Sequence, residues 1–301
     1  MNSENQQVVL PILTQKEVTL YLKREDEIHP LISGNKYRKL KYNIRAAKDK
    51  GIDQLLTYGG AFSNHIAATA YAGYVHKLKT IGVIRGEELI NSWQENPTLK
   101  RARSHGMHFN FVSRAQYKSK NDAAFLSQLE EKYGRFYRLP EGGTNTLAVK
   151  GCEEIITVVD ASFNVICCCV GTGGTLAGIS NAAYPKQQII GFPALKGDFL
   201  KKDIRKFATR TNWRLQTEYT FGGYAKIDEE LVGFINAFKA QTQIPLDPVY
   251  TGKMLYGILD LVAKDRFPKG TKILAIHSGG LQGISGMNLK LKKKKLPLLT
   301  I

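Results

Sequence analysis

No stretch of about 18 uncharged apolar residues occurs in this chain of 301 residues, so no membrane-spanning helix is expected. Met1-Asn2-Ser3-Glu4-Asn5 lacks a basic segment leading into an apolar one, so no secretory leader is expected and the cytoplasm is the default location. Cysteine is scarce, at four residues. Cys152 stands apart, and Cys167, Cys168 and Cys169 are adjacent, a spacing that suits neither a zinc centre nor a secreted disulfide framework. They are expected to be small buried hydrophobes in a reducing compartment, with no metal site. Internal repeats and long low-complexity linkers are also lacking. Acidic residues are outnumbered 26 to 43 by Lys and Arg, which leaves a net charge of +17. Such a balance can suit a polyanion, but the only dense block is Lys290-Leu291-Lys292-Lys293-Lys294-Lys295, and the remaining excess is spread over helix-like polar faces such as residues 36 to 50. A solvated tail, and no specific nucleic-acid partner, is the expectation.

What is present is a βα rhythm. Apolar runs at residues 18–23, 55–58, 80–84, 108–112, 165–170, 188–192 and 272–276 read as strands, and helical patterns at 66–72, 97–104 and 147–159 alternate with them. The fold class expected is α/β, with a parallel-rich open twisted sheet in each of two lobes. The larger lobe is assigned residues 1–41 and 147–301, and the smaller one residues 42–146.

Three glycine-bearing segments carry the chemistry. In Ser33-Gly34-Asn35-Lys36 the lysine opens a helical pattern, and Lys39 follows one turn later on the same face. A Schiff-base lysine must be able to lose its proton, which burial or a nearby cation favours, and Lys39 can serve as that cation and as a phosphate contact. The competing account is two exposed lysines on a basic helix. In Gly59-Gly60-Ala61-Phe62-Ser63-Asn64-His65 the polar residues lie at a strand-to-helix junction, where α/β folds collect ligands and helix amides attract a carboxylate. Ser63 can relay a proton or act as a nucleophile, although it or Asn64 can equally cap the helix, and His65 suits a structural role at least as well as a substrate contact. Gly171-Thr172-Gly173-Gly174-Thr175-Leu176-Ala177-Gly178 follows a buried strand, and its amides can form a nest for phosphate. It is not a Walker loop, because no Gly-Lys-Ser/Thr follows, and Leu176 occupies the third position of a Gly-x-Gly-x-x-Gly reading. Late in the chain Tyr250 can stack on a planar ring, and Thr251 or Ser278 can hydrogen-bond a ring nitrogen.

Together these segments resemble the fold-type II pyridoxal phosphate enzymes, specifically the 1-aminocyclopropane-1-carboxylate deaminase and D-cysteine desulfhydrase family. The resemblance runs from Leu22-Lys23-Arg24-Glu25-Asp26 through Ser63-Asn64, Phe221-Gly222-Gly223-Tyr224 and Asp247-Pro248-Val249-Tyr250-Thr251-Gly252-Lys253 to His277-Ser278-Gly279-Gly280. It implies pyridoxal 5′-phosphate on Lys36, with the phosphate held by Gly171, Thr172, Gly173, Gly174 and Thr175 and assisted by Lys39. It also implies Asn64 near the phenolic oxygen, Tyr250 against the ring, Ser63 near a small amino-acid substrate, and Tyr224 as a phenol able to move a proton. A homodimer is the assembly implied.

Dedicated cyclopropane deaminases resemble the chain but carry glutamate after the stacking tyrosine, where Thr251 stands here, as in desulfhydrase-like members. Phe62 replaces a glutamine common among relatives, and Ser278 replaces the threonine of a His-Thr-Gly-Gly segment. The expected activity is that of a deaminating lyase on a small D-amino acid, with D-cysteine giving pyruvate, sulfide and ammonia. Cyclopropane ring opening is the alternative within enzymes, and a catalytically silent cofactor fold or an anion-binding protein is the alternative outside them.

Overall fold

Hydrogen bonding sorts the strands of the computed structural model, which describes residues 2–32, 34–197 and 199–300, into two sheets. In chain order the strands are β1 (Asn5–Val8), β2 (Thr19–Lys23), β3 (Gln54–Gly60), β4 (Lys79–Arg85), β5 (His108–Val112), β6 (Tyr137–Arg138), β7 (Val165–Val170), β8 (Gln188–Pro193), β9 (Trp213–Leu215) and β10 (Lys272–Ile276). The four-stranded sheet has the order β5-β4-β3-β6 and is parallel throughout. The six-stranded sheet has the order β1-β2-β10-β7-β8-β9, parallel except at its edge, where β1 runs antiparallel to β2. This is the α/β architecture that the alternation of patterns predicts.

The central strands are apolar on both faces because helices cover both sides of each sheet. All six residues of β7 are buried. Cys167 and Cys169 join a cluster with Leu22 and Ile273, whereas Cys168 joins Ile166 and Val170 on the opposite side. The adjacent cysteines are therefore free, buried and divided between two cores, as the two-residue period of a strand requires.

Several elements depart from the sequence pattern. The helix Asn35–Asp49 runs without a break through positions 41 and 42, so a division there cuts an element. The helix expected over 147–159 ends at Glu153, and a 3-10 turn, Val158–Asp160, takes up the remainder because Thr157 and Asp160 close a capping box. Asp160 is fully buried and also accepts Lys23 Nζ at 2.8 Å and Asn5 Nδ2 at 2.7 Å, which pins β1 and β2 to this turn. The basic block near the end is not a free tail: Lys290, Lys292 and Lys293 lie in the last turn of the helix Gly283–Lys293 beside buried Leu291, Lys294 caps it, Lys295 follows, and the lysines face outward. Among the described residues no helix is long and apolar enough to cross a membrane.

Candidate active site

The helix Asn35–Asp49 begins at Gly34, whose φ of +51° turns the chain sharply into it. A Cβ at Gly34 would lie 2.1 Å from the Ser278 carbonyl oxygen, so only glycine lets the start of this helix lie against the turn that follows β10. Ser33, the first residue of the motif, lies outside the described residues. Lys36 and Lys39 project from the first two turns of the helix to one point: their Nζ atoms donate to the Gly142 carbonyl at 3.3 and 3.1 Å. Lys39 also donates to Thr144 Oγ1 at 2.9 Å and Thr172 Oγ1 at 3.5 Å, and the two threonine hydroxyls are 2.6 Å apart.

Lys39 is 2% exposed, and among the described residues neither lysine has a carboxylate partner. Desolvation, followed by the positive charge of Lys39, holds the Lys36 amine well below the ordinary lysine range. Desolvation likewise lowers Lys39. The pair is thus an electropositive point without a protein counter-charge, beside an amine that sheds its proton readily.

The glycine loop comes to this point from the other sheet. β7 ends at Val170, and the helix Gly174–Ala182 starts from Gly173, at φ +85°, so the free amides of its first turn open beside Thr172. Thr175 is held by Asn35 Nδ2, which donates to its Oγ1 at 2.8 Å and so joins the loop to the lysine helix. A Cβ on Gly173 would meet the Ile204 side chain at 2.6 Å, so this glycine is required by the neighbouring helix and by its own backbone, not by space for a ligand. Beside Gly171 the contact is different, because a Cβ there would lie 3.3 Å from the Tyr250 hydroxyl.

Tyr250 and Tyr224 meet edge to face, with centroids 6.2 Å apart. Burial pushes the Tyr250 phenol well above its usual range and raises Tyr224 as well, so both stay protonated as donors. The loop bearing Tyr224 has left-handed φ at Phe221 and Ala225, and buried Lys253 clamps it by donating to the carbonyls of Thr220 at 2.9 Å and Gly223 at 2.8 Å.

Ser63 caps the helix Asn64–His76, with its Oγ accepting from the Ile66 amide at 3.3 Å. Asn64 Oδ1 accepts from Gln282 Nε2 at 2.8 Å, which ties this turn to the segment after β10. His65 is buried, and among the described residues neither ring nitrogen has a hydrogen-bond partner; it lies close to Gly143 and under the charges of Lys36 and Lys39, and desolvation first and those charges second drive its pKa well below the imidazole range. Thr251 is turned away from the others. Its hydroxyl donates to Asp247 Oδ2 at 2.7 Å and accepts from the Asp247 amide at 2.9 Å, while the same carboxylate caps Val249, Tyr250 and Thr251. Ser278 is half-buried, on a turn fixed by His277, whose Nε2 is 2.8 Å from the Pro245 carbonyl and whose Nδ1 accepts from Gly279. Of the two hydroxyls read as ring-nitrogen partners, that of Thr251 is already committed to Asp247.

The sequence reading assigned no role to Thr144, Gln282 or the Gly142 carbonyl, nor to Asn35 and Asp247, although these two stand inside the quoted segments. One signal was available, since Gly142-Gly143-Thr144 repeats the Gly173-Gly174-Thr175 tripeptide, and both threonine-bearing loops meet at Lys39. Phe62 does not line this cluster. Half exposed, it lies over Gly286, where a Cβ would be 2.6 Å from its ring.

A planar, phosphorylated carbonyl compound fits these groups. The glycine loop and buried Lys39 suit its anion, the poorly protonated Lys36 suits its carbonyl carbon, and Tyr250 at the loop's start suits a ring face. The fold and site therefore define an α/β protein built for a cofactor of this kind. Residues 7–279 match the family described as pyridoxal-phosphate dependent enzyme. The chain is 32% identical over 296 residues to the Arabidopsis thaliana bifunctional D-cysteine desulfhydrase/1-aminocyclopropane-1-carboxylate deaminase, mitochondrial, covering 88% of this chain and 73% of that one. It is 28% identical to a D-cysteine desulfhydrase of Serratia proteamaculans, covering 87% and 86%. Among solved structures it is similar to an ACC deaminase homologue, with a TM-score of 0.81, 28% identity and coverage of 97% and 94%. The chain belongs to the pyridoxal phosphate-dependent enzymes, in the 1-aminocyclopropane-1-carboxylate deaminase and D-cysteine desulfhydrase family.

Proposed function

We propose that the protein is a deaminating lyase acting on a small D-amino acid, with D-cysteine converted to pyruvate, sulfide and ammonia. The observation that carries this reading is the Lys36–Lys39 pair at the mouth of the glycine loop, Lys39 buried and neither lysine meeting a carboxylate among the described residues. When bound, pyridoxal phosphate withdraws electron density from the substrate's Cα. Lys36, whose amine desolvation and the Lys39 charge shift toward the neutral form, takes the Cα proton. Gly171, Thr172, Gly173, Gly174 and Thr175 hold the phosphate with Lys39, and Tyr250 covers the ring. Ser63, Asn64 and the amides of the helix Asn64–His76 receive the substrate carboxylate at the positive end of that helix, beside His65. Tyr224, protonated and exposed at its edge, gives a proton to the departing thiol.

Elimination is favoured over ring opening because position 251 carries no carboxylate for the pyridine nitrogen, and the Thr251 hydroxyl is engaged by Asp247. Ser278 is then the neutral partner for that nitrogen. The proposed lobes are residues 1–41 with 147–301, and 42–146, with the site between them. A homodimer completes the reading on family resemblance, and light scattering of the purified protein checks it.

The test is a panel of D-cysteine, L-cysteine and 1-aminocyclopropane-1-carboxylate at equal enzyme concentration, scored for keto acid and sulfide. Fastest release of pyruvate and sulfide from D-cysteine is expected. Efficient 2-oxobutanoate release from the cyclopropane substrate, without sulfide from D-cysteine, would overturn the substrate assignment.

A further inference from the structure

Beside the lysine pair lies a second feature that the reaction as proposed does not use. A cavity of ≈ 590 Å³ opens at the carboxyl ends of β3 and β4, the edge of a parallel sheet where α/β folds take ligands. It adjoins the site, because the charges of Arg85 and Glu141 on its wall act on the Tyr224 phenol and short chain segments join the two. Gly60 and Ala61 on its wall lead directly into the Ser63 turn, and Glu141 precedes Gly142, the carbonyl that both lysines share. Its charge is strongly biased, because Arg85, Arg114, Lys118 and Lys120 line it against only Glu88 and Glu141. Both carboxylates are already matched: Glu88 pairs with Arg114 at 3.0 Å and Glu141 with Lys120 at 3.3 Å.

Arg85 is left over. It stands opposite Gly60 in the β3–β4 register, and a Cβ on Gly60 would lie 3.5 Å from its Nη2. Its guanidinium packs over the Tyr117 ring at 5.5 Å, which orients the fork, yet among the described residues it has no carboxylate partner. An oriented guanidinium without a counter-ion, opposite the glycine that leads into the turn proposed for the substrate's own carboxylate, is suited to a second acidic group.

We propose that this cavity receives the side-chain end of the substrate and selects a negatively charged group there, a carboxylate, sulfonate or phosphate attached at or just beyond Cβ, with Arg85 as the principal contact. The inference rests on the reading that an amino acid sits with its Cα at Lys36. D-Cysteine is then the smallest member of a series whose better members carry a fixed charge. With a member whose anionic group X is a sulfonate or a phosphate ester, the Cα–H bond breaks toward Lys36, the Cβ–X bond breaks with its electron pair leaving on X, and hydrolysis of the remaining three-carbon unit gives pyruvate and ammonia; a carboxylate on Cβ is bound but does not leave. Arg85 stabilises X as charge accumulates on it.

The test separates binding from turnover. Aspartate and asparagine are nearly isosteric and differ in the distal charge, and neither carries a good leaving group. Calorimetric titration of the holoenzyme with both D- and L-pairs is expected to show aspartate of one pair binding tighter than its asparagine by about ten-fold or more. Arg85→Gln is expected to erase that difference, and Arg85→Lys to retain part of it, with the cofactor absorption band and thermal midpoint of each variant serving as fold controls. Equal binding of aspartate and asparagine in both pairs, or a preference unchanged in Arg85→Gln, overturns the proposal. Keto-acid release from β-chloro-D-alanine, measured on the same preparation, reports on the lyase reading alone. Release with no aspartate preference removes the anion pocket and keeps the lyase, and an Arg85-dependent preference without release from any β-substituted alanine does the reverse.

Discussion

Lys39 sets the chemistry of its neighbour. A buried ammonium costs free energy unless it meets an anion, and here only a carbonyl and two hydroxyls meet it. Lys39→Met, which fills the same space without charge, is therefore expected to keep or raise the thermal stability of the cofactor-free protein while weakening pyridoxal phosphate binding about ten-fold or more, as titration of the apoprotein would show. The same change removes one of the two causes that depress Lys36, so the pH at which its amine becomes reactive toward an aldehyde moves upward. Thr251 answers a different question. Because its hydroxyl both donates to and accepts from Asp247, Thr251→Val strands the buried Asp247 amide and removes one of the two hydrogen bonds to Asp247 Oδ2, and a loss of about 1–3 kcal/mol in urea unfolding is expected. At this scale the sequence was informative about Lys36, Lys39 and the glycine loop, whose residue types are chemically narrow. It was uninformative about Thr251 and Phe62, because whether a hydroxyl or a ring faces a ligand or a neighbour depends on long-range packing.

The elements that present these residues are held by polar contacts within and between segments. Gly173 begins the helix Gly174–Ala182 in a left-handed conformation with Ile204 against it. Gly173→Val is consequently expected to lower fold stability by about 1–3 kcal/mol even without cofactor, in addition to weakening cofactor binding; a loss of cofactor affinity alone would show that the glycine serves the ligand. Lys253 is the corresponding support for the Tyr224 loop. Desolvation lowers its pKa to about 8, from an unfolded value near 10.5. Between those two values the unfolded chain binds more protons than the folded one, so this group's contribution to stability rises with pH through the window and is lost as pH falls through about 8. Measured by denaturation from pH 7 to 10, the stability of the unmodified protein relative to Lys253→Met should climb, and a flat difference would contradict the assignment. Strands at 108–112, 165–170 and 272–276 were legible to the residue because they are short apolar runs bounded by turns. Strands β1, β6 and β9 were not, since edge strands such as Asn5–Val8 and Trp213–Leu215 carry mixed sequences and exist only because a neighbour offers hydrogen bonds.

At the scale of the whole molecule, the site is where segments distant in sequence converge. Asn35 reaches Thr175, Lys39 reaches Thr144 and Thr172, Asn64 meets Gln282, and Phe62 closes over Gly286. No local pattern encodes these pairings, which is why the class of fold and three of the contributing loops could be read from the sequence while Thr144, Asn35 and Gln282 could not. What unites the convergence is one chemical demand, an amine able to lose its proton beside an anion-binding loop. The most direct test is borohydride reduction of the pyridoxal phosphate-loaded protein followed by peptide mapping. The cofactor is expected on Lys36 alone, with the visible absorption band and turnover both absent in Lys36→Ala; a reduced cofactor on any other lysine, or an unchanged band in that variant, would contradict the account.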